Sequence, residues 1–290
     1  MKKEEIRAAA AIPVVFLAGL GLAWAGSRGG AEVWGLPLYG LLVGAAFGVQ
    51  LLAFIPAFLF QTEKFYDLSG GLTYISVVTA AVLLNSGTGI RAWVMAGLVV
   101  IWALRLSLFL FRRVHKAGKD GRFDALKPSF LRFLLAWVMQ GLWVSFTLAA
   151  VLVVLTSQRT GGLDIFFWIG LLVWLTGFAF EVTADVQKSR FRSQAENRGR
   201  FISCGLWKLS RHPNYFGEIV LWIGMAVMAL PLLRGWHWVT LISPVFVTLL
   251  LTRISGIPLL EKRADERWGS DSAYAQYKRE TPVLVPLLKR

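Results

Sequence analysis

The feature that most constrains this chain is a series of long apolar runs separated by short basic segments. Crossing the hydrocarbon core of a bilayer takes ~18–20 apolar residues in a helix. Runs of that order sit at about 8–25, 38–60, 92–111, 130–156, 163–184, 215–233 and 236–252, with a shorter one at 72–84. Within lipid every backbone polar group must be satisfied internally, so such runs can only be helices. The expected fold is an all-α integral membrane protein. It is a bundle of seven to eight transmembrane helices with cytoplasmic loops and a C-terminal amphipathic helix, forming one membrane domain over 1–290. Only 17% of residues are charged, against about a quarter in soluble domains. The 13 Trp and 20 Phe suit interfacial belts and lipid-facing surfaces.

Basic residues set the expected orientation. With the N-terminus in the cytoplasm, the inside segments hold 24 of the 31 Lys and Arg, and the outside segments only Arg28, Arg91, Arg159 and Arg234. This asymmetry follows the positive-inside rule and favours an even number of spans. It also accounts for the net charge of +14 without nucleic acid. Met1–Arg7 followed by Ala8–Ala25 has the charge order of a signal peptide, but no clean small-x-small cleavage site precedes more hydrophilic sequence, so it reads as a retained first span. Cys204 is the lone cysteine and the three histidines are scattered, so no metal centre is expected. No internal repeat supports an inverted-repeat transporter.

The polar segment from Asp185 to Trp222 holds most of the candidate chemistry. Glu181 and Asp185, four apart, share one helical face at the end of an apolar run. Intramembrane carboxylates are costly and therefore functional candidates. Arg190, Arg192, Arg198, Arg200 and Arg211 follow, interrupted by Gln194, Glu196, Asn197 and Ser203. Arginine forks suit phosphate oxygens, and the interruptions suit a shaped pocket better than a lipid-facing patch. In Arg211-His-Pro-Asn-Tyr-Phe-Gly-Glu218, Pro213 favours a helix start. Asn214 and Glu218 then share a face that Trp222 extends, suited to holding an amide head group. His212 reads either as a cap or as part of the same site. A second polar cluster, Gln61-Thr-Glu63-Lys-Phe-Tyr66-Asp67-Leu-Ser-Gly70-Gly71, is expected as a cytoplasmic loop. There Glu63 or Tyr66 could donate a proton or polarise a carbonyl, and the glycine pair would permit a tight re-entry. Arg105 is a further intramembrane charge, expected to pair with a carboxylate.

Asp185-x6-Arg192, Asn197-Arg-Gly-Arg-Phe201, Gly205-Leu-Trp, Arg211-His-Pro-Asn-Tyr-Phe-Gly-Glu218-x3-Trp222, Tyr66-Asp67-Leu-Ser-Gly and Trp102-Ala-Leu-Arg105-Leu resemble the steroid 5-alpha-reductase family, in its bacterial membrane branch. The resemblance covers roughly residues 60–290, with 1–60 as N-terminal spans. It implies a reductase-like region at 61–290 whose cofactor-binding part is about 181–290. It further implies NADPH-dependent reduction of the C=C bond of a conjugated enone in a lipid-like substrate, such as a 3-keto-4-ene steroid. Asn214 and Glu218 would hold the nicotinamide carboxamide, with Tyr215 and His212 lining the same site. Asp185, Arg192, Asn197, Arg200 and Arg211 would contact the adenosine and phosphates, and Arg253 would close over them. Glu63 and Tyr66 are the catalytic candidates; Gln61, Trp102 and Trp222 are the substrate-side candidates. Where the animal enzymes carry a substrate-side Tyr, this chain has Trp102. The implied setting is the bacterial inner membrane, with the cofactor site facing the cytoplasm, membrane lipids around it and a monomeric protein.

A competing reading is an S-adenosylmethionine-dependent membrane methyltransferase of the isoprenylcysteine or phospholipid type. Such enzymes share an Arg-His-Pro-x-Tyr-x-Gly signature and a tail like Glu266-Arg-Trp-Gly to Pro286. The arginine-rich segment at 185–200 suits a ligand with several phosphates better than a sulfonium.

Overall fold

The computed structural model describes residues 3–287. Its long helices are α1 (Lys3–Gly26), α2 (Leu38–Leu59), α3 (Tyr66–Leu84), α4 (Ile90–Ala117), α5 (Phe130–Thr147), α6 (Ala149–Thr156), α7 (Ile165–Ser193) and α8 (Pro213–Ala229). They are followed by α9 (Ile242–Leu249), α10 (Ile257–Trp268) and α11 (Ser272–Glu280). A π-helical turn at Leu250–Ile254 continues α9, and a two-residue hairpin pairs β1 (Glu32–Val33) with β2 (Leu36–Pro37). Among the described residues, eight helical stretches are long and apolar enough to cross a membrane. The protein is an all-α membrane bundle, as its apolar runs require.

The chain divides into two compact units. The first comprises the described residues up to Asp164, together with Ala229–Ser243. Here α1 and α2 pack on α5, and α3 packs on α4. Its aromatic core at one end joins Phe54, Phe123, Phe133 and Trp137, with Tyr66 against it. The segments expected outside meet at the other end. Ala31 donates to the Thr156 carbonyl (2.7 Å), and Asn85 Nδ2 to those of Leu155 and Ser157 (2.9 Å each). Arg91, buried, donates to the Gly162 carbonyl and pairs with Asp164 at 2.6 Å. Segments expected inside pair among themselves: Arg132 with Glu4 (2.7 Å), Ser129 with Glu5 (3.0 Å) and Lys127 with Glu63 (2.5 Å). The loops of this unit thus gather into the same two sets into which their charges divide them.

One expectation needs correction. The polar cluster after α2 is not a loop running to Gly71, because helix begins at Tyr66. Gly70 and Gly71 are buried helical residues whose missing side chains admit neighbours. A Cβ on Gly70 would collide with the Gln140 amide, and one on Gly71 with the Ser107 hydroxyl. The actual break is at Gln61, which adopts φ 49°. Gln61 and Thr62 donate backward to the Phe58 (3.2 Å) and Ala57 (2.9 Å) carbonyls, so this residue occupies the left-handed position that closes α2.

The second unit comprises Ile165–Met228 and the described residues from Pro244. At 1.5 Å per residue, the 29 residues of α7 reach about 43 Å, well beyond a hydrocarbon core of ~30 Å. Its last turns therefore leave the apolar layer, which is why a helix that starts Ile-Phe-Phe-Trp can end Gln-Lys-Ser-Arg-Phe-Arg-Ser. The segment after α7 folds back on it. Trp207 is buried and donates to the Ala184 carbonyl (3.0 Å), and the Leu206 amide donates to Gln187 Oε1 (2.9 Å). The tail forms two helices and then a strap. Arg211 donates to the Pro282 carbonyl (2.9 Å), Ser210 Oγ to that of Leu284 (2.7 Å), and Leu287 to that of Leu209 (3.1 Å).

Candidate functional site

The site in the second unit is built where α7 and α8 touch. Gly170 and Gly177 on α7 face Gly224 and Gly217 on α8, each pair member seven residues from the next. A Cβ on Gly217 would stand 2.5 Å from both the Glu181 amide nitrogen and the Gly177 carbonyl oxygen. A Cβ on Gly224 would stand 2.6 Å from the Gly170 oxygen and the Trp174 nitrogen. Small residues let helix backbones approach closely inside membranes, and here the approach is backbone to backbone. It carries the polar ends of both helices together.

Glu181 and Asp185 are both buried on one face of α7. Across from them Asn214, on the first turn of α8, donates through Nδ2 to Asp185 Oδ1 at 3.2 Å. Glu218, one turn further, is buried as well, and Trp222 below it is fully buried. The structure therefore brings Asp185 and Asn214 into contact and holds three buried carboxylates on these two helices. Pro213 opens α8 as its missing N–H allows.

Before α8 the chain makes a second polar knot. His212 is buried, stacks flat on Tyr215 (5.8 Å between centroids, 10°), and shares a 2.8 Å hydrogen bond between Nε2 and Glu261 Oε1. Arg211 donates through Nη1 to Glu261 Oε2 (2.7 Å), and Lys278 Nζ stands 3.5 Å from the same oxygen. Burial pushes the His212 ring below its ordinary pKa, and Glu261 opposes this without overcoming it. Two polar atoms of this knot, Arg211 Nε and His212 Nδ1, are buried with no hydrogen-bond partner among the described residues.

The other expected residues of this unit are spread more widely. Asn197 ties the turn after α7 through Nδ2, donating to the Phe191 carbonyl (3.0 Å) and Gln194 Oε1 (2.8 Å). Arg200 lines a surface cavity of about 350 Å³ with Phe191, Asn197, Phe201 and Ser203. Arg192 is exposed on the last turn of α7, and Arg253 is exposed on the π-turn. Sequence reasoning missed Glu261. It stands 50 and 49 positions from the two residues it binds, and no spacing rule links them.

In the first unit Glu63 is buried and accepts from Lys127 Nζ (2.5 Å) and from the Asp120 amide (2.9 Å). Burial alone would raise its pKa, but the Lys127 ammonium and the amide donor outweigh that and hold the carboxyl below its ordinary range. Tyr66 donates its phenol to the Ala136 carbonyl at 2.9 Å. Gln61 is exposed and donates through Nε2 to the Phe58 carbonyl (2.8 Å). Trp102 is buried edge-on to Tyr74, 5.1 Å between centroids. Arg105 extends over the Phe109 ring at 5.6 Å.

Comparison with known proteins gives three findings. Residues 53–281 match the family described as "Protein of unknown function (DUF1295)". The chain is 28% identical over 195 residues to "Steroid 5-alpha-reductase DET2" of Arabidopsis thaliana, covering 65% of this chain and 64% of that protein. It is 29% identical over 128 residues to the Gossypium hirsutum protein of the same description, covering 43% of this chain and 45% of the relative. The chain thus spans less than two-thirds of the length of either curated relative. No solved structure matches it. With the match running from α2 through α11 and both relatives being steroid 5-alpha-reductases, the chain belongs to the DUF1295 family, within the wider steroid 5-alpha-reductase family.

Proposed function

We propose that this protein is an NADPH-dependent reductase of the C=C bond of a conjugated enone in a lipid-like substrate, of which a 3-keto-4-ene steroid is the model. The observation that carries the proposal is the half-buried Asp185–Asn214 contact beside the buried Glu218, in the region that the DUF1295 match covers. The donor set of the second unit fits the cofactor. Amide and carboxylate groups stand at the start of α8, arginines lie on and after the end of α7, and Arg211 Nε and His212 Nδ1 are buried polar atoms with no hydrogen-bond partner among the described residues. Asn214 and Glu218 would hold the carboxamide, with Tyr215 and His212 beside it. Asp185, Asn197, Arg192, Arg200, Arg211 and Arg253 would hold the adenosine and phosphates, where arginine forks match phosphate oxygens. When bound, NADPH supplies the hydride for the β-carbon of the enone.

Glu63 and Tyr66 are the proposed catalytic pair on the substrate side, and Gln61, Trp102 and Trp222 the proposed substrate contacts. Glu63 enters as a carboxylate, since Lys127 and the Asp120 amide favour its ionised form. Hydrogen-bond donation to the substrate ketone, which stabilises developing enolate charge, then falls to the Tyr66 phenol, whose one O–H would exchange the Ala136 carbonyl for the ketone. The arginine-rich side would face the cytoplasm of a bacterial inner membrane, where the basic loops belong.

The test is turnover of a panel of 3-keto-4-ene steroids by the purified full-length protein with NADPH, followed at 340 nm and by product mass. Glu218→Gln should abolish turnover or weaken NADPH binding while the protein stays folded. Full activity in that variant would remove Glu218 from the site. Binding of S-adenosylmethionine without NADPH would sink the reductase reading in favour of a methyltransferase.

A further inference from the structure

The tail helix α10 supplies a carboxylate that none of the family comparisons assigns, and its neighbours define what it does. Glu261 Oε1 is 2.8 Å from His212 Nε2, while Glu261 Oε2 is held by Arg211 (2.7 Å) and approached by Lys278 (3.5 Å). Two cations on one oxygen keep Glu261 ionised, and an ionised carboxylate can only accept. The hydrogen between Glu261 and His212 therefore sits on Nε2. Because burial disfavours the imidazolium, the neutral ring has this one tautomer, and Nδ1 is left as a bare lone-pair acceptor. Nδ1 is buried and has no partner among the described residues. A buried acceptor left unpaired is destabilising, so a chain that also spends a carboxylate to fix the tautomer has use for that acceptor. The ring is held flat against Tyr215 and precedes Asn214 by two residues.

We infer that Glu261 is a positioning residue that fixes His212 in the Nε2–H tautomer, so that Nδ1 accepts a hydrogen bond from an N–H or O–H donor on the nicotinamide–ribose half of the cofactor. The inference rests on the cofactor reading above. The geometry is the one in which a second group orients a histidine so that its far nitrogen meets the ligand. Protonation of His212 would turn Nδ1 from acceptor to donor and oppose the same ligand. The charged groups that face the ring are Glu261, Arg211, Lys188 and, through Glu261, Lys278. Glu261 favours the imidazolium, and burial, Lys188 and Arg211 oppose it.

The experiment measures NADP+ binding to the full-length protein in detergent by calorimetry from pH 5 to pH 8, in the wild type and in three variants. NADP+ is used because it survives acid. Glu261→Gln should weaken binding about tenfold at pH 7.5, a change of about 1.4 kcal/mol, because an amide no longer dictates the tautomer. It should also move the acid loss of affinity to lower pH, since the group favouring imidazolium is gone. Glu261→Asp should recover most of the affinity. Should Glu261→Gln fail to fold, His212→Asn, whose Oδ1 can stand near the position of Nδ1, should bind near neutrality and lack the histidine step in acid. The 2′-phosphate also titrates near pH 6, but it does so equally in every variant, so the difference between profiles reports the histidine. Matching affinities and matching pH profiles in the wild type, Glu261→Gln and His212→Asn would overturn the inference and leave the reductase reading standing. Absence of NADP+ binding by the wild type at every pH, with S-adenosylmethionine bound instead, would overturn both.

Discussion

Gly217→Ala isolates the helix contact on which the candidate site depends. The added Cβ would stand 2.5 Å from the Glu181 nitrogen and the Gly177 oxygen, both backbone atoms that no rotamer change can clear. Ordinary Cβ contacts begin at 3.4 Å, so the helices must part by about 0.9 Å at this crossing. Asn214 is three residues earlier on α8, and its 3.2 Å bond to Asp185 would open to about 4 Å, which is no longer a hydrogen bond. Forcing a methyl group into packed backbone costs about 1–3 kcal/mol. Losing a hydrogen bond to a charged acceptor costs about 1.5–3 kcal/mol. Alanine returns about 1 kcal/mol through helix propensity. The net is a destabilisation of about 3 kcal/mol, together with at least a tenfold loss of cofactor affinity. The assay is thermal unfolding in detergent alongside NADPH titration. Gly44→Ala on α2 is the control, since its Cβ meets nothing within 4 Å and should be neutral or slightly stabilising. A Gly217→Ala protein as stable as Gly44→Ala, with wild-type NADPH affinity, would refute the close-contact argument.

Three further outcomes are expected. Glu63→Gln should destabilise the first unit by about 2 kcal/mol, the value of a hydrogen bond to a charged group. Because the folded carboxyl sits below its ordinary pKa, that contribution is present above the unfolded value and lost as pH falls through the folded one. The difference in melting temperature between wild type and variant should therefore shrink in acid and stay constant from pH 6 to pH 8. Gln61→Gly should raise the melting temperature, since a non-glycine residue at φ 49° carries about 1 kcal/mol of strain; a lower melting temperature would show that its side-chain bond to Phe58 matters more. Ending the chain at Glu280 removes the strap from Pro282 to Leu287. Hydrogen exchange at the Arg211 amide should then accelerate at least tenfold, whereas unchanged protection would mean that the strap does not hold the His212 turn.

Much of the protein was legible in its residues because membranes impose simple rules. Apolar length gave the helices, since lipid tolerates no unpaired backbone, and the loops of the first unit meet in the same two sets into which arginine and lysine placement divides them. Glu181 and Asp185 were readable as a shared face, because a helical period fixes which neighbours align. Asn214 and Glu218 were readable for the same reason. The start of α3 was misread, because Gly70 and Gly71 look like loop residues when the side chains they make room for, Gln140 and Ser107, are unknown.

Tertiary structure alone decided three things. It put Asn214 against Asp185, a contact set by the backbone approach at Gly177 and Gly217 and by no local pattern. It paired Glu63 with Lys127, which makes a candidate acid an ionised carboxylate. And it brought Glu261 to His212 across 49 residues, a distance over which sequence periodicity carries no information and only the path of the chain determines who meets whom.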